Sequence, residues 1–363
     1  SSVTANGSTT TYVYDNLGQL TRENNQAAGK TWTWTYDTAG NILSKSEYAY
    51  TTGSLGTALD TITYGYADNR GWGDLLTNYD GRSFQYDEIG NLLSDGEWTY
   101  TWSKGRQLVS MTKPGTTLTF TYDADGNRTS KTVNGVTTSY TYVDGRVTHE
   151  TNGTDTIHYR YDTNGTLLSM NLNGTEYYYL YNGQRDVIGL YDANGNVVVE
   201  YTYDAWGKPL TTTGSLASTV GAKNPYRYRG YRYDAETGLY ALQSRYYNPS
   251  LGKFICADSI FDGMNQPNGV NMLAYCRNRP VIMVDDTGCD AILLYEEPWK
   301  DALGGHIGAL IEDETGDWWY FFGGPDAPGY KQPFGNVPSY TYCVEYSDSR
   351  DLKSINNTYK NRN

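Results

Sequence analysis

The sequence lacks several features that large classes of proteins require. Its 363 residues contain no run of 18 apolar residues, so no transmembrane helix is predicted. Lysine and arginine are scarce. The chain has 28 of them and 41 acidic residues, which gives a net charge of −13. Binding to phosphate groups depends on clusters of lysine and arginine. Nucleic acid is therefore not the expected partner of the repetitive part that makes up most of this chain.

Cysteine is rare as well. The four cysteines are Cys256, Cys276, Cys289 and Cys343, and no two of them form a CxxC pair. Their spacing does not fit a zinc site, and the simplest interpretation is that they are small apolar side chains. A disulfide between Cys256 and Cys276 stays open, because it depends on export to an oxidising compartment. No cofactor and no metal site are predicted.

Tyrosine and glycine, in contrast, are abundant. The chain contains 37 tyrosines and 40 glycines, and aromatic residues make up 15% of it. This composition indicates many short strands joined by tight turns, in which aromatic rings supply most of the buried area. The aromatic content is also far above that of disordered polar segments, so a folded chain is expected.

A unit of the form Tyr-Asp-x-x-Gly, often followed by Asn, recurs along the first two thirds of the chain. Clear copies begin at Tyr14, Tyr36, Tyr86, Tyr122, Tyr161, Tyr191 and Tyr203, and degenerate copies begin at Tyr66, Tyr142 and Tyr181. Apolar and polar residues alternate before each unit, which is the pattern of a strand with one apolar face. The aspartate can bond its own backbone two residues on, and the glycine supplies the positive φ of a bulged turn. The pattern predicts β-hairpins laid side by side, each burying its apolar face with its neighbours.

Residues 226–288 have a different pattern. They contain Tyr-Arg-Tyr-Arg-Gly-Tyr-Arg-Tyr-Asp at 226–234, Ser-Arg-Tyr-Tyr-Asn-Pro at 244–249, Ala-Asp-Ser-Ile at 257–260 and Asp-Asp-Thr-Gly at 285–288. Together with the repeats before them, these motifs resemble the RHS-repeat-associated core that ends the YD-repeat shell of bacterial polymorphic toxins. Animal teneurins carry related shells. The resemblance is specific in the core and weaker in each single repeat.

The resemblance implies a mostly β fold, in which a spiral of YD-repeat β-hairpins forms part of a β-shell closed by an RHS core plug. It divides the chain into a YD-repeat shell fragment at 1–225, an RHS-associated core at 226–288 and a truncated C-terminal effector domain at 289–363. The effector part is expected to be a small, partial α+β domain. Because the repeats look too few for a closed container, we expect the C-terminal wall and end plug of a larger shell.

In RHS-type toxins the core is similar to an aspartyl autoprotease that cuts the chain just after a terminal Asp-Pro-x-Gly motif. By position, the resemblance assigns Asp258 and Asp285 to this reaction, and Asp262 is the nearest candidate for the second catalytic aspartate. Arg245 is the candidate for holding a carboxylate in place by a paired hydrogen bond. Two carboxylates forced close together cannot both ionise, so one keeps a proton while the other acts as a base. Such a pair can activate water and protonate the leaving amide nitrogen.

The cut is expected between Gly288 and Cys289. Three residues depart from the family's pattern: Asp286 stands where proline is usual, Arg279 interrupts the usual Asn-Asn-Pro, and Asn248 replaces an aspartate. Without the proline the backbone near the cut is less restricted, and Asp286 adds a charge beside the proposed carboxylates. The alternative interpretation is that these aspartates cap turns in a structural plug.

After the core the tyrosine and glycine rhythm stops. Residues 290–295 have the pattern of a buried strand, and two apolar runs at 302–311 and 318–322 predict a hairpin. His306, in the first run, and the tryptophan-rich second run weakly resemble the circularly permuted papain-like hydrolases (NlpC/P60 or LRAT-like), in which a histidine activates a later cysteine. Cys343 is the only later cysteine in this sequence. A histidine held by hydrogen bonds in a β-domain accounts for the same pattern without catalysis.

The leading hypothesis is the C-terminal part of a bacterial RHS-type polymorphic toxin, exported or displayed at the cell surface. Its β-shell would encapsulate the C-terminal effector as cargo, with a delivery region upstream and an immunity protein as further partners. The chain starts at Ser1 without a methionine or signal peptide, directly before a repeat, which indicates a piece of a longer protein. Two alternatives stay open: a cell-surface adhesion or carbohydrate-binding YD-repeat protein without catalysis, and a stand-alone hydrolase centred on His306.

Overall fold

The computed structural model describes most of the repeats, most of the core and some strands of the C-terminal part. The described residues are 1–5, 7–66, 71–258, 271–285 and 288, and the backbone of strands at 294–296, 306–312, 318–324 and 327–333. The chain forms two compact units, Ser1–Val281 and Ile282–Asn363. Strands dominate the described residues, and all the strand pairs among them are antiparallel, which confirms the predicted mostly β fold.

The first unit is built from a string of hairpins, because each strand pairs with the next one along the chain. An eight-stranded sheet consists of β1 (Ser2–Ala5), β2 (Ser8–Tyr14), β3 (Leu20–Asn25), β4 (Lys30–Tyr36), β5 (Ile42–Ala49), β6 (Asp60–Gly65), β7 (Asn78–Tyr79) and β8 (Arg82–Ser83). A fourteen-stranded sheet consists of β9 (Gln85–Tyr86), β10 (Leu92–Ser94), β11 (Thr99–Ser103), β12 (Gln107–Lys113), β13 (Thr116–Tyr122), β14 (Arg128–Val133), β15 (Val136–Val143), β16 (Arg146–Thr151), β17 (Thr156–Tyr161), β18 (Leu167–Leu172), β19 (Thr175–Tyr181), β20 (Val187–Tyr191), β21 (Val197–Tyr203) and β22 (Pro209–Thr213). We call these two sheets the array.

The turn of each repeat is formed by its aspartate and its glycine. In one copy the Oδ1 atom of Asp123 accepts the backbone N–H groups of Asp125 and Asn127, at 3.0 and 2.8 Å. Gly126 adopts a φ of +85°, which side chains with a Cβ rarely tolerate. The same pair of bonds to the second and fourth following residues recurs at Asp15, Asp37, Asp87, Asp162, Asp192 and Asp204. The local pattern therefore specifies the turn without help from distant residues.

The tyrosine of each repeat bonds its hairpin to the preceding hairpin. The hydroxyl groups of Tyr122, Tyr161 and Tyr181 donate to backbone carbonyls 14 residues upstream, at 2.7, 2.8 and 2.7 Å. Tyr36 and Tyr203 make the same kind of bond 16 residues upstream, at 2.5 and 2.6 Å. These bonds satisfy carbonyl groups beside the preceding turn and so set the spacing between repeats.

A small core sheet packs against the array. It consists of β23 (Arg232–Asp234), β24 (Leu239–Ala241), β25 (Tyr246–Asn248) and β26 (Lys253–Phe254). Short helical turns lie at Ala217–Gly221, Tyr228–Gly230 and Tyr275–Asn278, and no helix of the described residues is long and apolar enough to cross a membrane. Tyr240, Tyr247 and Tyr275 are completely buried, and the rings of Tyr247 and Tyr275 stack with centroids 4.0 Å apart.

The last turn of the array accepts hydrogen bonds from these core tyrosines. The hydroxyl of Tyr240 donates to the carbonyl oxygen of Gly207 and that of Tyr247 donates to the carbonyl oxygen of Trp206, both at 2.8 Å. Trp206 is itself buried, at 1% exposure. Aromatic rings thus fill the interior, and their hydroxyl groups satisfy backbone groups that would otherwise be buried without a partner.

The two ends of the array meet. The Nζ atom of Lys45, in β5, lies 3.1 Å from Oδ2 of Asp204, in the turn after β21. The backbone N–H of Ala205 donates to Oε2 of Glu23, in β3, at 2.8 Å. Glu23 and Asp204 are both buried, so the first and last repeats share a cluster of two carboxyl groups and one ammonium group.

Raising the pH from about 5 to about 8 should destabilise the first unit through Glu23. Burial, reinforced by the charge of Asp204, raises the pKa of Glu23 from 4.5 to about 8, and the N–H of Ala205 and the ammonium group of Lys45 only partly oppose this. The folded protein keeps the Glu23 proton where the unfolded chain has lost it. The contribution of protonated Glu23 to the free energy of unfolding is therefore complete below pH 4.5 and is lost as the pH rises towards 8. We expect a loss of more than about 1.4 kcal/mol, the equivalent of one pKa unit.

Urea denaturation followed at pH 5 and pH 8 measures this effect. A Glu23→Gln variant is the control, because its neutral amide cannot lose a proton and should remove most of the difference between the two pH values. A variant with the same pH dependence as the parent would show that another group is responsible.

The second unit contains a four-stranded antiparallel sheet. Its strands are β27 (Leu294–Glu296), β28 (His306–Glu312), β29 (Trp318–Gly324) and β30 (Ala327–Pro333). β28 pairs with β29, with Glu312 opposite Trp318 and Ile307 opposite Gly323. The hairpin that the two apolar runs predicted is therefore present.

Candidate functional site

Two of the residues assigned to self-cleavage form a buried ion pair in the core. Nη2 of Arg245 lies 2.7 Å from Oδ2 of Asp258, and the two side chains are 3% and 2% exposed. The guanidinium carbon of Arg245 also lies 3.7 Å from the ring centroid of Phe254, and Nη1 donates to the carbonyl oxygen of Met272 at 3.2 Å. The structure thus brings together the carboxylate and the arginine that the resemblance assigned to one site.

The backbone around Asp258 is fixed by the array. The N–H of Ala257 donates to the carbonyl oxygen of Gly90, in a YD turn, at 3.1 Å, and the N–H of Asp258 donates to the carbonyl oxygen of Met272 at 2.9 Å. The guanidinium group of Arg106 donates to the carbonyl oxygen of Ala257. Nothing in the sequence marked Arg106 as part of this site, because it lies 151 residues away and belongs to no motif.

The thiol next to this pair is also buried. Burial raises the pKa of Cys256 to about 11, although Arg245 and Arg106 act in the opposite direction. The thiol is therefore protonated at neutral pH and is a poor nucleophile. No disulfide joins Cys256 to Cys276, and both are buried thiols. Of the two interpretations that the sequence left open, the structure has these cysteines as small apolar core residues.

A buried lysine in the core joins it to an early repeat. The Nζ atom of Lys253, in β26, donates to Oδ1 of Asn41 at 3.2 Å and lies 5.0 Å from the ring centroid of Tyr66. Burial lowers the pKa of Lys253 to about 8, and the charges of Asp74 and Asp37 only partly oppose this. Gly252-Lys253-Phe254 belongs to the core pattern, but the sequence predicted no role for Lys253, since lysine is normally exposed.

In the second unit, Asp285 closes a turn. Its Oδ1 atom accepts the backbone N–H of Gly288 at 2.7 Å, and Asp285 is 2% exposed. Gly288 has a φ of +79°. This bond is the one expected of an aspartate that caps a turn, and it sets the backbone just before the expected cut.

The remaining predicted site residues are Asp262, Cys289, Cys343 and His306. Asp262, Cys289 and Cys343 lie outside the described residues, as does Asp286. His306 is the first residue of β28, at the strand start where the sequence placed it. The assignments of all these residues to catalysis or cleavage stay predictions.

The fold defines a class of protein: an array of β-hairpins with Tyr-Asp-x-x-Gly turns, wound so that its ends meet and packed on a tyrosine-rich core. Residues 2–281 match the model of the teneurin YD-shell family. The chain therefore belongs to the teneurin YD-shell family, as the motifs of the sequence predicted.

One curated relative is named as a nuclease and another as a toxin. Over 200 residues the chain is 43% identical to the tRNA nuclease WapA of Bacillus subtilis. The matched segment is 52% of this chain and 8% of the relative. Over 97 residues it is 36% identical to double-stranded DNA deaminase toxin A of Burkholderia cenocepacia. This segment is 27% of this chain and 6% of the relative. The chain thus spans less than a tenth of the length of either relative.

The same fold is found in a solved toxin structure. The match to the Tc holotoxin pore of Photorhabdus luminescens covers 77% of this chain and 15% of the toxin chain, with a TM-score of 0.56 and 18% sequence identity. At this identity the likeness shows the fold alone.

Proposed function

We propose that the chain is the C-terminal part of an exported bacterial toxin of the RHS type. The array and the core form part of a β-shell around the C-terminal effector, which is released by self-cleavage after Gly288. The match of residues 2–281 to a shell family supports the shell role. One relative is named as a nuclease for tRNA and the other as a toxin that deaminates double-stranded DNA. The part that both share with this chain is expected to serve delivery rather than either reaction.

The proposal implies partners outside this chain. A delivery region upstream would carry the shell to a target cell, and an immunity protein would protect the producing cell from the effector. The excess of acidic residues supports a shell that does not itself bind nucleic acid.

The observation that carries the cleavage step is the buried pair of Arg245 and Asp258. The guanidinium group of Arg245 holds the carboxylate of Asp258 in place, so Asp258 is assigned the role of base. A second aspartate, Asp285 or Asp262, holds the proton. Asp258 takes a proton from water, whose oxygen attacks the carbonyl carbon of Gly288. The second aspartate then protonates the amide nitrogen, and the carbon–nitrogen bond breaks.

The intact mass of the purified chain tests this step. We expect two pieces from the parent, a carboxylate ending at Gly288 and an amine beginning at Cys289. We expect one uncut chain from Asp258→Asn, and one from whichever of Asp285→Asn and Asp262→Asn removes the proton donor, because an amide can neither accept nor hold the transferred proton.

Asp192→Asn is the matched control. Asp192 holds an exposed turn of the array through bonds to the backbone of Asn194 and Asn196, so this variant should be cut like the parent. Asp258→Asn changes a buried ion pair and can lower stability, so thermal melting is recorded for each variant. If Asp258→Asn does not fold, Asp285→Asn and Asp262→Asn together decide, and cutting of both would contradict the proposed step. A single uncut mass from the parent would overturn the protease assignment. The core would then be a structural plug, and a surface adhesin without catalysis would become the better interpretation of the repeats.

A further inference from the structure

Two of the three histidines of the chain face each other on neighbouring strands. His149, in β16, lies directly opposite His158, in β17, and their ring centroids are 4.7 Å apart with an angle of 46° between the rings. Glu150 and Ile157, the next pair in the register, are buried, whereas His158 is exposed and His149 is half-buried. Because side chains alternate between the faces of a sheet, both imidazoles lie on its outer face.

This arrangement has the dimensions of a metal chelate. Residues directly opposite each other on antiparallel strands have Cβ atoms about 4.5–5.5 Å apart, within reach of one ion for two imidazoles. A metal–nitrogen bond of about 2.0–2.1 Å puts each ring centre about 3.2 Å from the ion. A separation of 4.7 Å between ring centroids then corresponds to an angle of about 90° at the metal, as between adjacent positions of a tetragonal site. We propose that His149 and His158 bind a late first-row divalent cation, of which Cu²⁺ and Ni²⁺ fit best.

The charges around the pair do not oppose a cation. Asn171, in β18, lies opposite His158, and its side-chain amide donates to Oε2 of Glu176 at 2.9 Å. Arg160, two residues beyond His158 on the same face, lies 3.6 Å from Oε1 of Glu176. The carboxylate of Glu176 therefore offsets the guanidinium of Arg160, and these two groups together add no net positive charge beside the histidines.

The protein supplies two ligands to this ion. Among the residues that the structure describes, no group of three or more histidine, cysteine, aspartate or glutamate side chains has the geometry of a metal site. Water fills the other positions, so binding is reversible and selects ions with a high affinity for imidazole. Affinity for nitrogen ligands rises from Mn²⁺ to Cu²⁺ along the first row of transition metals. Mg²⁺ and Ca²⁺ prefer oxygen ligands, so they are not expected to bind here.

Calorimetric titration of the whole chain without an affinity tag, using NiCl₂ in a buffer that does not coordinate metal, tests the proposal. We expect saturable binding of one Ni²⁺ per chain. His149→Asn and His158→Asn should each weaken it at least tenfold, because one imidazole cannot chelate. His306→Asn is the matched control and should bind like the parent, since it removes the remaining histidine. Absence of saturable binding by the parent, or equal binding by His149→Asn and His158→Asn, would overturn the proposal.

Paramagnetic broadening of NMR signals provides a readout that does not need a folded variant of His149 or His158. The chain has three imidazole signals, and the signal of His306 is assigned by its absence from the spectrum of His306→Asn. Substoichiometric Ni²⁺ should broaden the other two signals in the parent and leave that of His306 sharp. Broadening of the His306 signal alone, or of none, would place the ion elsewhere and refute the chelate.

Discussion

Replacing Asp234 by asparagine should lower the free energy of unfolding by about 3–5 kcal/mol, because it leaves the buried guanidinium group of Arg128 without a counter-charge and leaves Lys131 with Glu236 alone. Nη1 and Nη2 of Arg128 lie 2.6 and 3.2 Å from the two carboxylate oxygens of Asp234, and Nζ of Lys131 lies 3.0 Å from Oδ1. The side chains of Arg128 and Asp234 are 8% and 4% exposed. Asparagine keeps the shape of the side chain but removes its charge.

Urea denaturation followed by tryptophan fluorescence measures this loss. Glu97→Gln is the control, since Glu97 forms an ion pair with Lys113 at 2.6 Å but its side chain is 50% exposed. An exposed pair contributes about 0–1 kcal/mol, so this variant should stay close to the parent. Equal stability of the two variants would show that the buried pair does not hold the core to the array.

Acid should reduce the difference between the parent and Asp234→Asn. Burial alone would raise the pKa of Asp234, but the charges of Arg128 and Lys131 outweigh it and hold the pKa well below the usual 3.8. The unfolded chain therefore takes up this proton at a higher pH than the folded protein. The stabilisation is present above pH 3.8 and is lost as the pH falls below it, so the two proteins should converge in this range.

Replacing Gly207 by alanine should cost about 2–5 kcal/mol, the sum of backbone strain and of a clash in the interior. Gly207 has a φ of +83°, and a Cβ atom added to it would lie 2.4 Å from Cδ1 of Tyr228. Tyr228 cannot move aside easily, because it is 2% exposed and its hydroxyl donates to the carbonyl oxygen of Pro280 at 2.9 Å. The new methyl group therefore displaces the core from the last turn of the array.

Gly126 provides the matched comparison. It has a φ of +85° in an equivalent turn, but a Cβ atom there would meet nothing within 4 Å. Gly126→Ala should therefore cost only the strain, about 1–2 kcal/mol. The difference between the two variants in urea denaturation isolates the contact between turn and core, and equal losses would show that this contact adapts without cost.

The features of the fold that could be predicted from the sequence are the local ones. An aspartate, a glycine three residues later and alternating apolar residues specify a hairpin wherever they occur, and the turn at Asp123 has the bonds that this pattern requires. The pairing of each strand with the next is a consequence, because a hairpin can bury its apolar face only against its neighbours.

The contacts that close the fold could not be predicted in this way. Lys45 and Asp204 lie 159 residues apart, and Arg128 and Asp234 lie 106 apart. Which repeats meet depends on the twist and bending that accumulate over many strands, and no single repeat encodes this sum. At the candidate site, the resemblance suggested Asp258 and Arg245 by position, but the neighbouring Arg106 came to light only through its distance from Ala257.

The closure of the array has a consequence for the order in which the chain is made. Glu23 and Lys45 leave the ribosome long before Ala205 and Asp204, their partners 182 and 159 residues later. At a synthesis rate of about 5–20 residues per second, this gap lasts roughly 10–40 s. During this interval the apolar faces of the first hairpins and two groups destined for the interior are in contact with water and with other nascent chains. This region is therefore most vulnerable to aggregation while it is being translated, before the turn at Asp204 can cover Glu23 and Lys45.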